Sequence, residues 1–188
     1  NFRHRTPILD VMKQFFFALA LGATSLASTA TSAAEKLSLT EISSYLNSFR
    51  TAQAEFTQVN DDGSLSTGTL YIRRPGKVRF QYDAPGSGLV VAEAGTVAII
   101  DPKSNQPPET YPLSRTPLSL ILAPTVNLSR ANMVVGHGFD GVSTVVRAQD
   151  PKNPEYGSID LMFTDAPVQL RKWVIHGSAG EETTVILG

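Results

Sequence analysis

Apolar and polar positions follow two periods along this chain. In LSLTEISSYLNSF, residues 37–49, Leu39, Ile42, Leu46 and Phe49 recur at helical spacing, and the polar face is Ser, Thr, Glu and Asn. Ser38 followed by Glu41 has the form of a capping box, with Leu37 placed to staple against Ile42. The pattern predicts a helix with its apolar stripe laid on something greasy. From there the period changes to two. AEFTQV places Ala54, Phe56 and Gln58 on one side, and residues 66–73, 77–83, 87–92, 96–101, 131–136, 142–148 and the runs SIDLMF, RKWVIH and TTVIL read as further strands. Nothing alternates regularly with helices, which disfavours a parallel sheet. The expected fold class is mostly β with an α lid. It is an open, strongly curved antiparallel sheet, an incomplete barrel covered by short helices.

Two stretches depart from this pattern. Residues 102–130 contain no long strand, and a sheet meander rarely needs such an insertion. Within it Thr116 can cap a helix that Pro117 opens and Pro124 stops. Leu118, Leu120, Ile121 and Leu122 are too many apolar residues for one narrow stripe, so that helix either fills core or faces a ligand. The second departure is GTLYIRRPGKVRFQYDAP, residues 68–85, two strands joined by Pro75-Gly76 in a type II signature. Arg73, Lys77 and Arg79 fall on a solvated face. Arg74 shares parity with Leu70 and Ile72 and points to the apolar side. An arginine there has to be paired or hydrogen-bonded, either to Asp83 or Asp101 or to backbone carbonyls of the short helix.

The N-terminal region reads differently. Met12 and Lys13 precede FFFALALGA and then the small residues SLASTATSAA. That order is the form of a secretory signal peptide, over 12–34, with cleavage after Ala33 or Ala34. The apolar stretch is too short to span a bilayer. The expected mature region is 35–188, one domain by length. Cysteine is absent from all 188 residues, so there is neither a disulfide framework nor a cysteine to lipidate at the cleavage site. Residues 1–34 hold three basic side chains (Arg3, Arg5, Lys13) and one acidic (Asp10) of the chain's 16 and 17, which leaves 13 against 16. A net-acidic exported protein offers no field for nucleic acid. Of three histidines, His4 lies before the mature region, His137 reads as an exposed hairpin tip and His176 ends a strand. Neither metal-ligand spacing, nor a Gly-x-Ser-x-Gly elbow, nor a phosphate-binding loop occurs. An enzyme is not expected, and no cofactor.

The leading helix, FRTAQAEFTQ at 49–58, the Arg-Pro hairpin at 68–85, LVVAEAGTVAIIDP at 89–102 and TPLSLIL at 116–122 follow one another in an order that resembles the periplasmic outer-membrane lipoprotein carrier proteins, the LolA-like family. The resemblance covers most of 37–187. It implies an apolar cavity for lipoprotein acyl chains, in a carrier that takes its cargo from an inner-membrane ABC-type release complex and hands it to an outer-membrane acceptor. It implies a periplasmic location and a monomer. By position, Arg74 matches the family's lid-fastening arginine. Phe56, Leu70, Ile72, Phe80 and Tyr82 match sheet positions, some lining the cavity, and Leu118, Ile121 and Leu122 match the lid helix. Phe80 stands where the family commonly has tryptophan. A general periplasmic protein for lipids or other hydrophobic ligands, of the same shape, is the alternative.

Overall fold

A computed structural model describes residues 32–188; the expected signal segment falls almost entirely outside them. Residues 33–188 form one unit. After helix α1 (Leu39–Asn47) the chain forms β1 (Thr51–Val59), β2 (Leu65–Arg73), β3 (Lys77–Tyr82), β4 (Leu89–Glu93), β5 (Thr96–Ile100) and β6 (Glu109–Pro112). A short helix, α2 (Leu118–Leu122), precedes β7 (Val134–Phe139), β8 (Thr144–Ala148), β9 (Ser158–Asp165), β10 (Val168–His176) and β11 (Glu182–Leu187). The strands make one sheet in the order β6-β5-β4-β3-β2-β1-β11-β10-β9-β8-β7, with every neighbouring pair antiparallel. β6 is a four-residue exposed edge strand inside the segment expected to lack long strands.

This topology explains the insertion. Each half is a meander, and the two halves are zipped together along β1 and β11. β6 and β7 are consecutive in sequence but lie at opposite edges. The link between them must cross the whole sheet, and α2 sits within that crossing. It crosses on the inner face, because Leu120, Ile121 and Leu122 are buried in the same apolar cluster as Leu70, Phe80, Leu161 and Trp173. Curvature brings inward side chains from both halves into that one cluster.

Inner-face register obeys the expected alternation. Leu70 pairs with Ala54 on one side and Phe80 on the other, and Ile72 pairs with Ala52 and Val78. Gly68 faces Phe56 across the β1–β2 ladder. A Cβ there would lie 2.6 Å from the Phe56 ring and 2.3 Å from the Gln81 carbonyl oxygen, so only glycine admits the ring. Phe56 then meets Phe80 and Tyr82 edge-on, with centroids at 5.8 and 5.2 Å, and Phe80 meets Trp173 at 6.0 Å.

The leading helix forms as its sequence predicts. Ser38 Oγ accepts from the Glu41 amide, and the Ser38 amide donates to Glu41 at 2.7 Å. Ile42 and Leu46 are fully buried. Its partners come from far along the chain. Asn47 makes a paired bond to the Val126 backbone at 2.8 and 2.9 Å, and the Leu128 amide donates to Ser43 Oγ. The chain leaving α2 is therefore pinned to α1. Two expectations are corrected here. Thr116 does not cap α2: its hydroxyl donates back to Leu113 O, and no side chain caps that helix. His137 is not at a hairpin tip, because β7 runs on through Gly136–Gly138, and its Nε2 lies 2.7 Å from Leu37 O.

Candidate functional site

Beside α2 the inner face forms a partly open cavity of about 240 Å³. The small side chains of β1 make room for it. Ala52 and Ala54 occupy inward positions opposite Ile72 and Leu70, where other strands carry larger residues. Leu70, Ile72, Phe80, Trp173 and Ile121 complete much of the apolar wall, and Tyr45, Leu46 and Phe49 close the side toward α1.

Arg74 also lines this cavity, and it is only 6% exposed. No carboxylate lies within ion-pair distance of it among the described residues. Asp83 instead accepts from Thr67, and Asp101 from the Lys103 amide. Two of the three guanidinium nitrogens donate to backbone. Nε donates to Ile121 O at 3.0 Å, and Nη1 donates to Leu46 O and, at 2.9 Å, to Phe49 O. The Gly76 amide adds a bond to Leu122 O at 2.9 Å. Ile121 and Leu122 end α2, and Leu46 lies in the last turn of α1. These carbonyls have no partner within their own helix and carry partial negative charge, so a cation fits them. The tip of the β2–β3 hairpin thus acts as a latch that joins both helices to the sheet. Phe49 lies under the guanidinium, its ring centre 5.1 Å from the central carbon. Burial, and then the nearby Arg50 charge, push the Arg74 pKa below its ordinary value.

The structure gathers five of the nine residues expected from sequence, namely Leu70, Ile72, Arg74, Phe80 and Ile121, around this cavity. Phe56 and Tyr82 pack one layer beyond it, in contact with each other. The Tyr82 hydroxyl donates to Gln58 at 2.8 Å, and burial raises its pKa although that bond opposes the shift. Leu122 is buried in the core. Leu118 lies with Ile159, Leu161 and Trp173 in a neighbouring recess. Ala52, Ala54, Tyr45 and Trp173 were not singled out from sequence. The alternation Ala-x-Ala-x-Phe in β1 carries the signal for two of them, since two small inward residues in a row leave unfilled volume.

The opposite face holds a second polar feature. Asp160 receives Arg147 in a bidentate pair at 2.7 and 2.8 Å, with His176 Nε2 at 3.0 Å. Asp160 pairs directly with Arg147 and Val174 across the ladder, on the face opposite Leu161 and Phe163. Arg147 holds its carboxyl below the usual carboxylate range against the opposing effect of burial. Among the described residues no helix is long and apolar enough to cross a membrane.

Residues 47–188 match the profile of the family described as "Outer membrane lipoprotein carrier protein LolA". An outer-membrane lipoprotein carrier protein of Methylococcus capsulatus is 40% identical over 75 residues, 37% of this chain and 36% of that protein. The chain thus spans about a third of that relative's length. One of Chromohalobacter salexigens is 27% identical over 183 residues, covering 93% of this chain and 85% of its own length. Among solved structures, a LolA superfamily protein of Nitrosomonas europaea aligns over 81% of this chain and 92% of its own, with TM-score 0.39 and 9% identity.

Proposed function

Because the chain belongs to the outer membrane lipoprotein carrier protein LolA family, we propose that it is a periplasmic carrier that shields the acyl chains of a lipoprotein beneath α2. The observation that carries this reading is a largely apolar hollow, with Gln53, Gln169 and Arg171 also in its lining, bounded by Ile121 of a five-residue helix that is tied at its C-terminal carbonyls to Arg74 and Gly76. A helix this short is not stable by itself, so its position depends on those ties and on its buried leucines.

The driving force for loading is the removal of hydrocarbon from water, about 0.8 kcal/mol per methylene. The shut cavity, at about 240 Å³, is smaller than the roughly 300–1,000 Å³ of ordinary ligand pockets. Loading therefore requires α2 to move outward. Phe56, Leu70, Ile72, Phe80 and Tyr82 then wall the widened chamber from the sheet, and Leu118, Ile121 and Leu122 face it from the lid. The bond from Arg74 Nε to Ile121 O favours the shut state and hence release of cargo. In this reading the protein acts as a monomer. It receives its cargo from an inner-membrane ABC-type release complex and passes it to an outer-membrane acceptor, after residues 12–34 are removed on export from a one-domain mature region, 35–188. The catalytic groups of an enzyme have no part in it.

The small shut volume favours one second reading, a carrier of single-chain lipids. Native mass spectrometry of the protein isolated gently from the periplasm separates the two. Acylated peptide bound to the protein is expected. Free lipid alone would replace the first reading with the second, and protein devoid of any acyl mass under these conditions would overturn both.

A further inference from the structure

Arg74 carries more donors than the described residues use. Nε and Nη1 are committed to Ile121, Leu46 and Phe49, but Nη2 is buried and has no acceptor among the described residues. The Phe49 ring beside the guanidinium offers no acceptor in its plane. A buried amino group with unfilled N–H bonds, on a cation without a counter-ion, is costly to leave so. Most such groups in folded proteins have a partner.

The position of the group suggests what that partner is. Leu70, Ile72 and Arg74 are successive inward positions of β2 and the turn after it, roughly 7 Å apart along the strand. A hydrocarbon chain lying along Leu70 and Ile72 reaches Arg74 at one end. The first polar atom on an acyl chain is the oxygen of its own carbonyl, whether ester, amide or free carboxylate. We infer that Nη2 of Arg74 is a docking point for the carbonyl oxygen at the head of an acyl chain. The cavity then selects chains by their carboxyl-derived end as well as by their methylenes. This rests on the carrier reading and adds a chemical class to it: acyl chains, in preference to bare alkyl chains of equal length.

Trp173 lines the cavity and is the chain's one tryptophan, so its emission reports ligand entry. The wild-type protein and Arg74→Leu are titrated with dodecane, methyl dodecanoate and dodecanoate. Comparing the ratio of affinities between the two proteins cancels both the differing hydrophobicity of the ligands and any change in lid opening. The expected result is that the preference for methyl dodecanoate over dodecane falls about tenfold in the variant. A parallel fall for dodecanoate extends the site to free fatty acids, and a fall for the ester alone restricts it to esterified chains. An unchanged ester ratio overturns the inference and leaves the carrier reading intact, whereas failure of all three ligands to bind wild type overturns both. Should the variant not fold, the carbonyl stretch of bound methyl dodecanoate is read on wild type by infrared difference. A shift to lower frequency than in hexadecane is expected, and a hexadecane-like band refutes the docking point.

Discussion

Replacing Arg74 by leucine tests the latch most directly. The substitution removes three bonds from a cation to buried carbonyls, each worth about 1.5–3 kcal/mol. It also removes a buried charge that has no carboxylate partner and one unfilled amino group, whose desolvation costs several kcal/mol. In global stability these largely cancel, leaving a loss of about 1–2 kcal/mol. The local balance shifts differently. With leucine at 74, Ile121 O is unpaired while α2 is shut and hydrated once α2 lifts, a bias of about 1–2 kcal/mol toward opening. That corresponds to roughly a tenfold change in the opening equilibrium. Native-state hydrogen exchange reads it residue by residue. The Gly76 amide is the natural reporter, because its acceptor is Leu122 O on the lid, and the Ser119 and Leu120 amides report α2 itself. Exchange at these three should accelerate about tenfold, while the amides of Leu161 and Trp173 in the central strands stay protected. Unchanged protection at Gly76 would refute the latch. An equal acceleration throughout the sheet would show that Arg74 supports the fold and not the lid.

Two other changes test the frame around the site. Gly68→Ala places a methyl group against the Gln81 carbonyl and the Phe56 ring, and the backbone oxygen cannot withdraw. A loss of about 1–3 kcal/mol in urea denaturation is expected, and a wild-type midpoint would mean that Phe56 repacks freely. Asp160→Asn removes the bidentate partner of Arg147. Because the folded pKa of Asp160 lies below its unfolded value, its contribution is present above about pH 4 and is lost as pH falls through the folded value. Wild type should therefore lose its advantage over the variant between about pH 4 and the lower folded pKa, and a stability difference that persists unchanged at still more acid pH would contradict this.

The periodicity of the chain was enough to lay out most of this protein. Local rules act over a few residues, and they placed α1 with its capping box, ten of the eleven strands, with β7 set three residues too early, and the inward parity of Arg74. The same rules misplaced features whose cause lies elsewhere in the molecule. β6 exists because β5 supplies a ladder to join, and His137 stays in its strand because β8 and Leu37 hold it there. Whether Arg74 would meet a carboxylate or carbonyls could not be read from parity, which sets direction and not partner. Its acceptors lie 25 to 47 residues away, on two helices and the link that follows the first. The hollow itself is likewise a property of the assembly. Ala52 and Ala54 are ordinary strand alanines in sequence, and they become empty space only when curvature sets Ile121 and Trp173 across from them without filling the gap.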